Sequence, residues 1–200
     1  MVRKNTPPFT SPWEIQRFLS AIAYNPKEEC KSPKRVLAER NAHCFEGALF
    51  AAASLRELGY PPLLMDLRAW NDDDHVIALF KERGRWGAVA KSNFTTLRFR
   101  EPVYRNLREL AMSYFDFYFN TLGQKTLRAY SRPLRLAQFD AKSWAVADDD
   151  LEYIGDAFSK LPYYDLLNEE QVKALSVVDE DLLKAGLIGS NPAGLYVPEK

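Results

Sequence analysis

The sequence feature that most constrains the fold is a change of hydrophobic period at residues 59–62. Over 44–58 the apolar side chains recur at helical spacing, which predicts an amphipathic helix. Gly59 is suited to cap that helix, and the two prolines that follow prevent its continuation. The next apolar runs, 63–69 and 75–81, are short and are separated by an Asn-Asp-Asp-Asp turn, so we expect strands there. A helix that leads directly into antiparallel strands predicts the α+β class.

Further signals predict a single unit around this helix and hairpin. Arg83-Gly84 marks a second turn, and residues 86–92 complete a three-stranded antiparallel meander, with another strand expected near 95–100. Ser11-Pro12 and Ser32-Pro33 predict the starts of two earlier helices, because serine caps a helix and proline suits its first turn. Later helices are expected over 104–119, from 149 onward, and twice within 168–186.

Length and charge indicate how the chain is organised. The 200 residues fit one domain, with a core at about 11–120 and a helical, acidic C-terminal extension at about 136–200. Residues 81–135 carry 12 basic and 4 acidic side chains (+8), whereas 136–200 carry 5 and 13 (−8). We therefore expect the acidic extension to fold back on the basic segment, residues 81–135, and to shape one edge of the cleft that holds the functional site.

Composition limits the classes of partner. The 27 basic and 27 acidic side chains give a net charge of zero, so no general binding to nucleic acid is expected. The chain contains no run of about 18 apolar residues, which argues against association by a membrane span. The N-terminus lacks the apolar core of a signal peptide, and two cysteines are too few for a disulfide scaffold. We therefore expect a cytoplasmic protein.

Two cysteines and two histidines limit the candidates for chemistry. Cys44 begins the central helix, where unpaired amides and the helix dipole favour the nucleophilic thiolate. His75 begins a strand, and a cysteine at a helix start that faces a histidine on a packed strand is the minimum for thiol acyl transfer. The alternative is that the two residues are buried and never meet. The spacing of these four side chains fits no zinc-finger or zinc-ribbon pattern, so no metal site is predicted.

The register of the hairpin suggests a third member of the site. If the chain turns about Arg83-Gly84 with an even loop, position 75 pairs with position 92, and Ser92 lies beside His75. A one-residue bulge at Gly84 would place Asn93 there instead. Either side chain is able to accept the imidazole Nδ1–H and fix its tautomer, so both remain candidates.

Residues 41–62 resemble the active-site helix of the transglutaminase-like cysteine peptidase superfamily, whose fold is papain-like. The shared features are a cysteine that begins a helix, small residues within it, an Arg-x-Leu-Gly exit, and a proline before a strand. In this chain they are Cys44, Ala48, Ala52, Arg56, Leu58, Gly59 and Pro61. The preceding residues 32–40 are similar to the helix that leads into the cysteine, and His75 and Trp86 complete the order.

The resemblance covers residues 11–95, about half the chain, and the sequence departs from the family in two places. Val76-Ile77 stands where the family usually has a small residue followed by an aromatic one. Ser92-Asn93 stands where the third strand usually delivers an aspartate. The chain therefore looks like a divergent member of the superfamily.

The resemblance implies acyl transfer or hydrolysis at an amide bond of a peptide or protein. His75 would take the thiol proton, and Cys44 would attack the carbonyl to form a thioester. The oxyanion would lie against the Cys44 backbone N–H and a second donor, for which Asn41 is the candidate. Water or an amine would then release the acyl group, and the scheme requires no cofactor and no metal. The alternative is a catalytically inactive member of the same fold that binds a protein or peptide.

Overall fold

The computed structural model describes residues 7–199. The first six residues, which belong to the segment considered for a signal peptide, lie outside the described residues, as does Lys200. Over the described range, no helix combines the length and the apolar character needed to cross a membrane.

The protein is a mixture of helices and strands arranged around an antiparallel sheet of seven strands. The α-helices are α1 Pro12–Ala21, α2 Pro33–Glu39, α3 Cys44–Glu57, α4 Leu107–Phe115, α5 Glu152–Asp156, α6 Glu169–Lys173 and α7 Glu180–Gly186. Short 3₁₀ helices lie at Thr95–Leu97, Leu136–Lys142, Phe158–Lys160 and Pro192–Gly194. The strands are β1 Ala23–Tyr24, β2 Asn41–Ala42, β3 Leu63–Ala69, β4 His75–Glu82, β5 Arg85–Val89, β6 Arg100–Tyr104, β7 Leu127–Ser131, β8 Leu134–Arg135 and β9 Tyr163–Asp165.

The sheet runs in the order β6-β5-β4-β3-β7-β9, and β8 pairs with the start of β3. Alternate side chains of the central strands enter two separate cores. One face packs on α3 through Leu64, Val76 and Ala78, and the other packs on α4 through Leu67 and Ile77. The short strands β1 and β2 form a parallel pair immediately before α3. The sheet therefore places the start of α3 next to the start of β4.

The structure confirms the α+β class and the helix that leads into strands. The expected strand 63–69 coincides with β3, and the helices that begin at Pro12, Pro33 and Cys44 are all present. The long helix expected over 104–119 is shorter. The Asn106 side chain accepts the Glu109 N–H and caps α4, so the helix begins at Leu107 and ends at Phe115. The residues before this cap form β6, and the strand expected near 95–100 is displaced to β6 by a 3₁₀ turn.

The acidic extension does fold back, although its ion pairs do not go to the basic segment. Its strand β9 pairs with β7, which belongs to residues 81–135. Within residues 7–199, the ion pairs that leave the extension join Asp140 to Arg56 and Asp148 to Lys34. Two carboxylates of the extension are therefore paired with the first 80 residues, and the main-chain pairing of β9 with β7 attaches the extension to the middle of the chain.

Candidate active site

A side-chain cap fixes the start of α3 immediately before Cys44. His43 is the N-cap residue, and its Nδ1 accepts the Phe45 N–H at 3.2 Å, while Glu46 Oε2 accepts the His43 N–H at 2.9 Å. Because His43 Nδ1 is an acceptor, its Nε2 carries the proton and donates to the Glu29 carbonyl at 2.5 Å. This reciprocal capping box makes Cys44 the first residue of the helix, where its own N–H has no partner within the helix.

A buried polar network supports this helix start from behind. Glu46 is fully buried and accepts hydrogen bonds from the Lys31 N–H and from Asn25 Nδ2. Lys31 is also fully buried, and its ammonium group pairs with Glu39 at 3.1 Å and contacts Asn41 Oδ1. Satisfied buried networks of this kind favour a single local arrangement.

This network corrects the prediction for the second oxyanion donor. The Asn41 amide is oriented towards Lys31, and Asn41 does not line either of the cavities that Cys44 lines. The physical reason is that β2 directs Asn41 and Ala42 to opposite sides. Asn41 therefore belongs to the supporting network.

A close approach of two backbones brings the residues that follow β5 next to α3. A Cβ atom at Gly47 would lie 2.3 Å from Lys91 Cβ, so only glycine fits at this position. Lys91 is buried, and its ammonium group donates to the carbonyl oxygens of Leu19 and Ile22 at the end of α1. This contact holds the residues after β5 beside the start of α3.

The thiol of Cys44 lies at the point where β4 begins. Its Sγ donates to the Asp74 carbonyl oxygen at 3.8 Å. Burial raises the pKa of the Cys44 thiol to about 12, and the negative charges of Asp73 and Asp66 add to this rise, while the Val76 N–H opposes it. The thiol is therefore protonated at neutral pH in this structure.

His75 is held in one tautomer by a backbone group. The side chain is 4% exposed, and its ring lies 6.3 Å from the rings of both Tyr114 and Tyr118. His75 Nε2 lies 2.8 Å from the Leu97 carbonyl oxygen, which can only accept, so Nε2 carries the proton and Nδ1 carries the lone pair. Burial lowers the pKa of His75 to about 4, so the imidazole is neutral at pH 7 and its Nδ1 is unprotonated.

The hairpin has the register that the sequence predicts, but the ladder ends before the site. The pairs run from Glu82↔Arg85 to Ala78↔Val89 without a bulge at Gly84. The chain then leaves the strand, so His75 has no ladder partner on β5.

Neither Ser92 nor Asn93 hydrogen-bonds to His75. Ser92 Oγ accepts the Phe94 N–H, and the Asn93 amide donates to the carbonyl oxygens of Asn191 and Gly194. The orienting role that the sequence analysis gave to these two side chains therefore falls to the Leu97 carbonyl. The reason is the 3₁₀ turn after β5, which carries that carbonyl over the imidazole.

Cys44 and His75 line one cavity of about 40 Å³, which we call the inner cavity. Ser92, Asn93 and Tyr24 also line it. Among the described residues no direct hydrogen bond joins the thiol to the imidazole. The inner cavity has room for a water molecule, which needs at least about 10–15 Å³, so one water is able to connect the two groups.

A larger cavity of about 590 Å³, the outer cavity, is also lined by Cys44. Its wall is strongly acidic and contains Glu28, Glu29, Asp73, Asp74, Asp150 and Glu152. The 3₁₀ helix Pro192–Gly194 and the residues after it form part of its rim. We call residues 191–199 the C-terminal strap. Asn93 anchors the strap by three hydrogen bonds to Asn191 and Gly194.

Tyr24 is a site residue that the sequence analysis missed. It lines both the inner and the outer cavity, and its ring packs so closely on the strap that a Cβ atom at Gly194 would lie 2.6 Å from Tyr24 Cε1. Burial raises the pKa of the Tyr24 phenol, and the nearby Cys44 adds to the rise. The phenol is therefore a neutral hydrogen-bond donor near the thiol. Its position depends on the two-residue pairing of β1 with β2, for which the sequence has no local signal.

No protein-family profile and no curated protein matches this sequence. In the described part of the chain, no group of three or more His, Cys, Asp and Glu side chains is arranged to hold a metal ion. The site is thus defined by its own geometry: a cysteine at a helix start and a tautomer-fixed histidine at a strand start share one cavity on an antiparallel sheet.

Proposed function

We propose that this protein is a thiol-dependent enzyme that transfers or hydrolyses an acyl group at an amide bond. The observation that carries the proposal is the inner cavity, which Cys44 and His75 both line. The His75 ring has its lone pair at Nδ1, because its Nε2–H donates to the Leu97 carbonyl oxygen. A nucleophile next to a base that a third group orients is the arrangement that such chemistry needs. Here the third group is the Leu97 carbonyl.

In the proposed mechanism, the proton moves during the attack because both groups are neutral at rest. His75 Nδ1 takes the proton from Cys44, directly or through one water, while Sγ forms a bond to the substrate carbonyl carbon. The imidazolium then gives this proton to the leaving amine as the C–N bond breaks, which leaves a thioester on Cys44. Water or a second amine, deprotonated by His75, attacks the thioester and returns the enzyme to its starting state.

The oxyanion of this scheme needs two donors near Cys44. The Cys44 N–H is the first, since it has no helical partner. The Tyr24 hydroxyl takes the second position in place of Asn41, because Tyr24 lines both cavities that contain the thiol.

Membership of the transglutaminase-like, papain-like superfamily is part of the same proposal. Two features support it: α3 packs against the antiparallel sheet with Cys44 at its first residue, and His75 stands at the head of the neighbouring strand. The peptide or protein amide substrate belongs to the proposal as well.

The second candidate function is a peptide-binding module without turnover. One observation favours it: the C-terminal strap already lies along the rim of the outer cavity, so this surface accommodates a peptide segment of the chain itself. In that case the thiol would remain neutral and would form no acyl intermediate.

The test compares the two cysteines within one molecule. Burial raises the pKa of Cys30 to about 12, as it does for Cys44, so acidity alone predicts no large difference in the labelling of the two thiols. We expect iodoacetamide to label Cys44 faster than Cys30 at neutral pH, and we expect His75→Ala to abolish the difference. Cys30 serves as the internal control for unfolding. Equal labelling of the two thiols in the wild-type protein would contradict the proposal and favour the binding module.

A further inference from the structure

Asp66 is a buried carboxylate with one oxygen left without a partner. The residue lies in β3 and is 4% exposed. Its Oδ2 accepts the Tyr163 hydroxyl at 2.6 Å, whereas Oδ1 is buried and has no hydrogen-bond partner among the described residues. An unsatisfied buried acceptor destabilises the folded state, and more so when it is charged. A structure that retains such a group has an unused acceptor to offer to a ligand.

This carboxylate borders an open cavity of about 330 Å³, which we call the Asp66 cavity. Its walls are mainly aromatic and aliphatic: Phe45, Val76, Phe158 and Tyr163. The charged groups that line it are Asp66, Asp74 and Arg68. The Arg68 guanidinium is stacked over the Tyr163 ring, 3.4 Å from its centroid, and forms no ion pair with Asp66. The cavity therefore combines apolar walls with an excess of negative charge.

The Asp66 cavity adjoins the proposed active site. Asp74 lines it together with the inner and outer cavities. Its other walls include Phe45, which follows Cys44, and Val76, which follows His75. Asp66 itself pairs with Val76 across β3 and β4. A substrate whose carbonyl lies at Cys44 is therefore able to extend a neighbouring side chain into this cavity.

We propose that the Asp66 cavity is a specificity subsite that binds a positively charged side chain, an ammonium or a guanidinium on an apolar stem, of the substrate attacked by Cys44. The apolar walls receive the stem, and Asp66 Oδ1 accepts a hydrogen bond from the cationic head. The inference rests on the proposed function, because it assigns the substrate of that same thiol. It predicts that amides next to a basic side chain are preferred over neutral ones.

The same contact affects the thiol through charge. The negative charge of Asp66 contributes to the raised pKa of Cys44. A cation bound against Asp66 offsets this charge and favours the thiolate. Substrates that fill the subsite therefore activate the nucleophile that attacks them.

The test uses two alkylating probes of equal length. One is N-(4-aminobutyl)chloroacetamide, which is cationic, and the other is N-pentylchloroacetamide, which is neutral. At pH 8 we expect the cationic probe to label Cys44 at least about tenfold faster than the neutral one, relative to the same ratio at Cys30; this factor corresponds to ~1.4 kcal/mol. Asp66→Asn should abolish the preference at Cys44. A ratio that is the same in the wild type and in Asp66→Asn overturns the proposal.

Two further variants separate the subsite from other effects. Gly155→Leu fills the cavity and leaves the carboxylate in place, since a Cβ atom there meets only Phe45 Cζ at 4.0 Å; it should also abolish the preference. Glu28→Gln removes one carboxylate from the outer cavity and should preserve it. An equal loss of preference in Glu28→Gln would overturn the subsite and assign the effect to the acidic rim.

The failure of the proposed function has a different signature from the failure of the subsite. If His75→Ala leaves the rate of the neutral probe unchanged, the base-assisted chemistry fails. Calorimetry of n-butylammonium binding to the Cys44→Ala variant measures the subsite without that chemistry. We expect binding that Asp66→Asn abolishes, and equal heats in both proteins would contradict the subsite.

Discussion

Asp66→Asn is expected to change how the stability of the protein depends on pH. Burial raises the pKa of Asp66 from its ordinary value of 3.8 to about 7. A raised carboxyl pKa means that the folded state binds the proton more tightly than the unfolded state. Asp66 therefore contributes most to the stability of the folded state below pH 3.8, where it is protonated in both states. This contribution is lost as the pH rises through 7. Asparagine does not titrate, so the variant does not undergo this loss.

The size of the effect follows from the two pKa values. Their difference corresponds to about 4 kcal/mol in total, at about 1.36 kcal/mol for each pKa unit. Between pH 5 and pH 8, integration over both titrations gives a change of about 2–3 kcal/mol in favour of the variant. Any constant cost of the substitution, such as an imperfect hydrogen bond to Tyr163, is the same at both pH values and does not affect this change.

Urea unfolding followed by tryptophan fluorescence measures the free energy of unfolding of both proteins at the two pH values. The contribution of Asp72, whose pKa burial raises to about 6, is common to both proteins and cancels. Asp140→Asn is the control without a change in this pH window. The Arg56 guanidinium lowers the pKa of Asp140 below its ordinary value of 3.8, so this carboxyl is ionised in both the folded and the unfolded state from pH 5 to pH 8, and the difference from the wild type should stay constant. A difference between wild type and Asp66→Asn that does not change with pH would refute the reasoning.

Three further predictions concern packing, the strap and the oxyanion. Gly47→Ala should reduce the free energy of unfolding by about 1–3 kcal/mol, because the new Cβ would overlap Lys91; urea unfolding measures this loss. Asn93→Ala removes three hydrogen bonds to the C-terminal strap, so limited proteolysis should cut the strap faster, and an unchanged rate would show that other contacts hold it. Tyr24→Phe should lower the rate of Cys44 acylation by about 10²–10³ if its hydroxyl binds the oxyanion, while near-wild-type rates would remove Tyr24 from the site.

The parts of the fold that the sequence predicts are those with local signals. Serine caps with following prolines define the starts of α1 and α2. The hairpin register follows from its two-residue turn, in which Arg83 and Gly84 both adopt positive φ (47° and 78°) as a tight hairpin turn requires. In contrast, β1, β2 and β9 contain two or three residues each and are defined by distant partners, so no local periodicity indicates them.

The candidate site likewise contains residues that the sequence indicates and groups that only the tertiary structure brings into place. Cys44 and His75 are predictable because their residue types are rare and stand at element starts. The Leu97 carbonyl is not predictable, since every residue has a carbonyl and only the 3₁₀ turn brings this one to the imidazole. Asp66 lies among the buried apolar residues of β3, and its unpaired oxygen is a property of the assembled fold. Residue type thus indicates the reactive groups, and tertiary structure determines what orients them.

The most direct test of the central claim is mass spectrometry of the protein after exposure to p-nitrophenyl acetate. If Cys44 and His75 perform acyl transfer, an acetyl thioester forms on Cys44 in preference to Cys30, is released again by hydrolysis, and does not accumulate or turn over in His75→Ala. Acetylation of the two cysteines at equal rates, or acetylation of Cys44 that His75→Ala leaves unchanged, would contradict the account.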